Sequence, residues 1–138
     1  MPQGSTGPAA TISDLLAGDC PGRTLLSHIA SRWGVLVLTA LHQGPLRFHQ
    51  LRDGIGGISE KMLSQTLRVL CRDGLIRREV EPTTPPRVSY GLTPLGEELM
   101  SELQGFIAWI ALRTEEITAA WDRHDSTTRA RLQGSVDL

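Results

Sequence analysis

A short proline-rich run separates two segments with the composition of β-strands, and this arrangement limits what the middle of the chain can form. Residues 76–80 and 88–92 contain the β-branched residues Ile76, Val80 and Val88 and have an alternating character. The intervening Pro82-Thr83-Thr84-Pro85-Pro86 run cannot be helical, because proline lacks an amide proton and clashes with the preceding helical turn. The sequence therefore predicts a β-hairpin with a stiff, exposed loop.

Two helices are predicted near the beginning of the chain. Asp19 is a candidate cap for the first, whose opening turn would hold Cys20 and Pro21 and whose apolar residues then follow at helical spacing. Residues 33–41 are almost entirely apolar and stop at Gly44-Pro45, which is typical of a buried helix. We expect this second helix to form the centre of a small core.

Two further helices, separated by a glycine-rich turn, precede the predicted hairpin. The third helix is short, with apolar residues at helical spacing: Phe48, Leu51 and Ile55. Glycines at positions 54, 56 and 57 end it. Ser59 is predicted to cap a fourth helix, Glu60–Arg72, and Gly74 follows where a left-handed backbone commonly ends a helix.

Thr93 and Pro94 are predicted to begin a long last helix, as cap and first residue. Its apolar residues recur at steps of three, four or seven: Leu95, Leu99, Leu103, Phe106, Ile110, Ile117 and Trp121. This seam is longer than a small core requires, which favours dimerisation over packing on its own domain. With 138 residues we expect one domain at 12–122, between a disordered tail at 1–11 and a flexible tail at 123–138.

The net charge of −1 conceals an uneven distribution of charge. Residues 47–87 contain eight basic and five acidic side chains, whereas the chain from position 94 onward contains eight acidic and four basic ones. A basic middle segment indicates an anionic partner for that segment, although mixed solvated faces are an equally valid interpretation of charge alone.

Several classes of protein are disfavoured by the sequence. Two distant cysteines offer neither a disulfide framework nor zinc-ligand spacing, and the four histidines are dispersed without a triad-like nucleophile. The glycines at 54, 56 and 57 follow no strand, unlike those of a dinucleotide site. We expect no catalytic residues, no metal, no cofactor and no membrane contact, and a cytoplasmic location.

The order of helices, hairpin and helix is that of a winged helix-turn-helix, a mainly α fold in which the fourth helix enters the DNA major groove. Glutamine can read adenine and arginine can read guanine, while lysine and serine suit phosphates or base edges. The candidate DNA-binding residues are Arg47, His49, Ser59, Lys61, Met62, Ser64, Gln65, Arg68 and Arg87. The alternatives are a merely solvated amphipathic helix and a winged helix that contacts protein instead of DNA.

Motifs in a fixed order carry a resemblance to a known family: Cys20-Pro21, Trp33, Gly44-Pro45-Leu46-Arg47-Phe48, Gly57-Ile58-Ser59-Glu60-Lys61-Met62-Leu63, Asp73-Gly74-Leu75-Ile76, Pro85-Pro86-Arg87-Val88 and Leu92-Thr93. Across about residues 19–121 the chain resembles the HxlR family of bacterial transcription regulators, which is related in fold to the MarR regulators. The resemblance implies a homodimer, joined through the first and last predicted helices, on a palindromic double-stranded DNA operator.

The resemblance also implies that Cys20, which precedes a proline at the start of a helix, senses small electrophiles or oxidants. The positive end of the helix dipole would stabilise its thiolate, and Arg23 could add to this, whereas Asp19 would oppose it. The alternative is that Cys20 is a small packing residue near the dimer contact. Cys71 is interpreted as a packing residue at the edge of the fourth helix's buried face.

Overall fold

The computed structural model describes residues 11–18 and 20–136. Its elements, in chain order, are α1 (Ile12–Ala17), α2 (Pro21–Ile29), α3 (Gly34–Leu41), β1 (Leu46–Arg47), α4 (Phe48–Gly54), α5 (Glu60–Arg72), β2 (Ile76–Glu81), β3 (Arg87–Leu92) and α6 (Pro94–Val136). These residues fall into two units, the first ending at Met100 and the second beginning at Ser101. The predicted fold class, mainly α with a small β-hairpin, is confirmed.

The three strands of the first unit form an antiparallel sheet in the order β1-β3-β2. In the hairpin, Ile76 lies opposite Leu92 and Arg78 lies opposite Tyr90. The predicted hairpin is thus confirmed. Strand β1, which pairs Leu46 with Tyr90, was not predicted, because two residues are too few to show alternation.

The core of the first unit is formed by apolar residues from the helices and the inner sheet face: Val37, Leu38, Leu41, Leu51, Ile55, Ile58, Leu63, Leu67, Leu70, Leu75, Ile76, Leu92 and Met100. Helix α3 lies in this core as predicted, and α5 has the predicted bounds. Within residues 11–18 and 20–136, no single helix is long and apolar enough to cross a membrane. Helices α2 and α3 reach the required length and hydropathy only when taken together, and they are bent by 69° relative to each other.

Helix α1 was missed, and the position of Cys20 was misjudged. Thr11 and Asp14 form a reciprocal capping box that begins α1, and Gly18 ends it with a φ of +93°. Cys20 is the N-cap of α2 and lies outside its first turn, because the residue before a proline is driven into the extended region. The proposed cap Asp19 and residues 1–10 of the predicted tail lie outside the described residues.

The second unit is one helical segment, because α6 continues to Val136. It therefore includes most of the segment predicted to be a flexible tail at 123–138; residues 123–133 contain neither proline nor glycine to end a helix. Within residues 101–134, no side chain is buried. Phe106 and Trp109 are each 54% exposed, and Trp121 is 62% exposed.

Candidate nucleic-acid interface

Helix α5 has one buried face and one exposed face. The Ser59 hydroxyl accepts a hydrogen bond from the Met62 amide at 3.0 Å, which fixes where the helix begins. Leu63, Leu67 and Leu70 are buried, so the rotation of the helix about its axis is set by the core. The opposite face is therefore held in a defined orientation toward solvent.

The exposed face of α5 carries four of the candidate DNA-binding side chains: Lys61, Ser64, Gln65 and Arg68. Their spacing of three and four residues places them in one stripe, which we call the α5 stripe. Neither Lys61 nor Arg68 forms a hydrogen bond or an ion pair with any residue in the described part of the chain. Both cations are therefore available to an anionic partner.

The remaining candidates differ in the element that carries them and in how freely their side chains can contact a partner. Arg47 and His49 lie at the start of α4 and are exposed, and Arg87 is exposed at the start of β3, next to the hairpin loop. The Ser59 hydroxyl is already engaged as the helix cap. The Met62 side chain is 36% exposed beside the stripe, where an apolar contact is all that it offers.

The orientation of α4 relative to α5 is supported by a polar contact that the sequence did not reveal. Arg52 on α4 donates to the carboxylate of Glu60 in the first turn of α5 at 2.7 Å, and also to Asp53 at 3.1 Å. These hydrogen bonds raise the pKa of the Arg52 guanidinium, with Glu60 making the larger contribution. The residues are ten or fewer positions apart, but only the turn geometry brings them together.

Cys20 lines a cavity of about 660 Å³ that reaches the end of α5. Its thiol donates a hydrogen bond to the Asp14 carbonyl at 3.4 Å. In the same cavity, His28 Nδ1 is hydrogen-bonded to an Asp73 carboxylate oxygen at 2.8 Å, and Asp73 is the C-cap of α5. The cavity therefore joins the start of α2 to the end of α5.

The two cysteines have different surroundings. Arg23, which was expected to support a Cys20 thiolate, directs its guanidinium to the Leu15 and Leu16 carbonyls at the end of α1. Burial raises the pKa of the Cys71 thiol, and the nearby Arg78 opposes this rise. Both cysteines are free thiols.

The fold and the α5 stripe agree with a match to a known family. Residues 28–118 match the model of the HxlR-like helix-turn-helix family. The chain belongs to this family. The family resemblance found in the sequence is therefore confirmed, and this HxlR-like chain has the winged helix-turn-helix fold of its structural neighbours.

Relatives of this HxlR-like chain are named as transcription regulators. YtfH of Escherichia coli, an uncharacterized HTH-type transcriptional regulator, is 48% identical over 109 residues, covering 79% of this chain and 86% of YtfH. The solved structure of YtfH from Salmonella typhimurium, also described as a transcriptional regulator, has a TM-score of 0.73 and 45% identity, covering 78% of this chain and 96% of that one.

The structure of a third relative has been determined in a reduced form and after treatment with diamide. The transcriptional regulator YodB of Bacillus subtilis, in its reduced form, has a TM-score of 0.60 and 36% identity, covering 66% of this chain and 90% of YodB. The diamide-treated form has a TM-score of 0.59 and 35% identity, covering 67% of this chain and 93% of YodB. Similarity thus extends to a regulator whose structure is known both in a reduced form and after diamide treatment.

Proposed function

We propose that this protein is a transcription regulator that binds double-stranded operator DNA, with α5 in the major groove and the β2–β3 hairpin against the adjacent backbone or minor groove. The observation that carries this proposal is the α5 stripe. It is polar, exposed and oriented by three buried leucines, and its two cations have no partner in the described chain. Action on the chromosome gives the protein a cytoplasmic location and requires no catalytic group, metal or cofactor.

Each candidate residue has a contact suited to its chemistry. Gln65 can form two hydrogen bonds with adenine, and Arg68 can do the same with guanine. Lys61 and Ser64 suit phosphates or base edges. Arg47 and His49 are positioned to hold phosphates, and Arg87 would reach the DNA from the wing.

The direct test is binding of the full-length protein to the DNA upstream of its own gene. We expect binding that weakens steeply with added salt, because phosphate contacts release counterions, and protection of an inverted repeat from nuclease cleavage. A protein-interaction module built on the same fold is the alternative. Absence of binding at low salt would support that alternative and contradict the proposal.

We further propose that the protein is a homodimer that binds a palindromic site. The support comes from α6, where a long apolar seam is only partly covered in a single chain. Phe106, Ile110 and Trp121 are 54%, 44% and 62% exposed. Exposed apolar area of this extent is rare on monomers, and a second copy would supply a matching seam. Leu25 and Leu26 of α2 are also exposed, in keeping with the expected role of that helix in the dimer.

Replacing Ile110 by glutamate should convert the dimer to a monomer. The introduced carboxylates would be buried without partners in the dimer but solvated in the monomer, so we expect the dimer Kd to rise at least about a hundredfold. Sedimentation velocity measures this change. Ala119→Glu, which adds the same charge about half a turn away from Ile110 around the helix, should remain dimeric. A wild-type protein that sediments as a monomer at micromolar concentration would contradict the dimer proposal.

We also propose that Cys20 makes DNA binding responsive to small electrophiles or oxidants. Cys20 lines an open cavity, as a reactive thiol must, and this cavity includes Asp73, the C-cap of the DNA-reading helix. Alkylation would replace the thiol proton with a carbon substituent inside the cavity. The His28–Asp73 hydrogen bond then provides a route by which the change reaches α5.

Treatment with N-ethylmaleimide should change the operator affinity of the wild type by about fivefold or more, a typical coupling between two sites. Cys71→Ser, which removes the other free thiol, should respond as the wild type does. The Cys20→Ser, Cys71→Ser double variant should not respond, because serine does not react with the maleimide. Equal responses in Cys71→Ser and in the double variant would refute the role of Cys20.

A further inference from the structure

A narrow groove lies along one edge of α5, beside the α5 stripe and opposite the start of α3. Its helical wall includes Met62, Gln65, Thr66 and Val69, and its other wall includes Trp33, the N-cap of α3. We call it the Trp33 groove. Its volume is about 180 Å³, below the range of about 300–1,000 Å³ that is typical of small-molecule sites. The groove is therefore suited to one small chemical group.

The part of the groove next to the stripe is apolar and restrained. The Thr66 hydroxyl donates a hydrogen bond to the Met62 carbonyl at 2.8 Å, so what Thr66 offers to a partner is its methyl group. The Arg32 guanidinium lies 4.6 Å from the centroid of the Trp33 ring. A Cβ on Gly57 would lie 3.8 Å from Trp33 Cη2, so the ring lies against the turn before α5. These contacts define the shape of the groove before any partner binds.

The groove is continuous with the surface that we propose reads DNA. Gln65 belongs to the α5 stripe and also lines the groove. Met62 is the third residue of α5, and the N-terminal residues of a recognition helix are those that reach base edges. Its side chain is 36% exposed and has only a thioether sulfur, a weak acceptor, as a polar atom. Any contact that Met62 makes with a base is therefore mainly apolar.

We propose that the Trp33 groove receives the C5-methyl group of one thymine in each half-site, which makes Met62 a residue that determines sequence specificity. The thymine methyl is the apolar group that bases present in the major groove, and cytosine lacks it. Gln65 would bind an adenine at the edge of the same groove, while the methyl group would contact Met62 and the Thr66 methyl. This inference rests on the proposed function, because it requires α5 in the major groove.

The test compares two fragments of the DNA upstream of the gene, identical except that one contains deoxyuridine in place of every thymidine. This exchange removes only methyl groups and keeps base pairing. The full-length wild type should bind the deoxyuridine fragment about tenfold more weakly, because each half-site loses the burial of one methyl group. Met62→Ala should bind the two fragments within about twofold of each other, since it lacks the side chain that the methyl group contacts. Met62→Leu keeps an apolar side chain of similar volume and should still discriminate about fivefold.

Equal binding of both fragments by the wild type would overturn this inference and leave the proposed function standing. Undiminished discrimination in Met62→Ala would also overturn it, because the methyl groups would then act through the shape of the DNA or through another residue. A protein that binds neither fragment at low salt would refute the proposed function and this inference with it. Replacing single thymidines in turn should place the effect at one symmetric position of the inverted repeat, and an effect spread evenly over all positions would contradict a single methyl site.

Discussion

Replacing Arg68 by alanine should lower the affinity for the operator by about tenfold to a hundredfold, with the fold of the protein unchanged. Arg68 is exposed and has no partner in the described chain, so its removal costs the free protein no contact. In the complex it would remove a guanine or phosphate contact worth about 1–3 kcal/mol. Because the proposed homodimer would carry the change in both half-sites, the upper end of this range is expected. Fluorescence anisotropy with a labelled operator measures the loss.

The matched control for Arg68→Ala is Arg129→Ala, which removes the same charge from an exposed position on α6. Its operator affinity should stay within about twofold of the wild type, because physiological salt screens the long-range effect of net charge. Equal losses in both variants would show that net charge matters and that α5 does not read the DNA. An unchanged affinity in Arg68→Ala would remove that residue from the interface.

Two neighbours of Arg68 separate base contacts from phosphate contacts. Gln65→Ala should relax discrimination at an adenine position, whereas Lys61→Ala should weaken all sequences alike and reduce the salt dependence by about one counterion for each half-site. A result in which both variants behave alike would show that the α5 stripe carries affinity without specificity.

Gly96→Ala should destabilise the protein by about 2–4 kcal/mol, a large effect for a single added methyl group. A Cβ at position 96 would lie 2.1 Å from the Leu75 carbonyl oxygen, which belongs to the backbone and cannot rotate away. The same carbonyl accepts the Thr93 amide at 3.1 Å, so the first turn of α6 is held against the start of β2. The midpoint of urea unfolding measures the change.

Gly54→Ala is the control for this substitution, because it adds the same methyl group in a helix of the same unit where no atom lies within 4 Å. It should leave stability unchanged or raise it by up to about 1 kcal/mol, since alanine restricts the unfolded chain. If Gly96→Ala were as stable as the wild type, the close approach of α6 to Leu75 would be wrong.

Local signals were sufficient for the elements that the sequence predicted correctly. Ser59 as a cap and Gly74 with a φ of +76° mark the ends of α5, and three leucines at helical spacing select its buried face. The proline-rich run at 82–86 cannot be helical, so the two flanking strands were predicted to form a hairpin. Helix α1 was also encoded locally, since Thr11 and Asp14 have capping-box spacing and Gly18 follows, but the helix is only six residues long and buries none of them.

The sequence by itself determined the order of helices and strands, the stripe of DNA-binding candidates on α5 and the family, because each depends on residues close together in the chain. Only the tertiary structure decided which charges are free. It pairs Arg52 with Glu60 across a turn and His28 with Asp73 across 45 positions, and leaves Lys61 and Arg68 without a partner in the described part of the chain. The physical reason is that ion pairing and cavities depend on distances of a few ångströms, and these distances are fixed by the packing of the core.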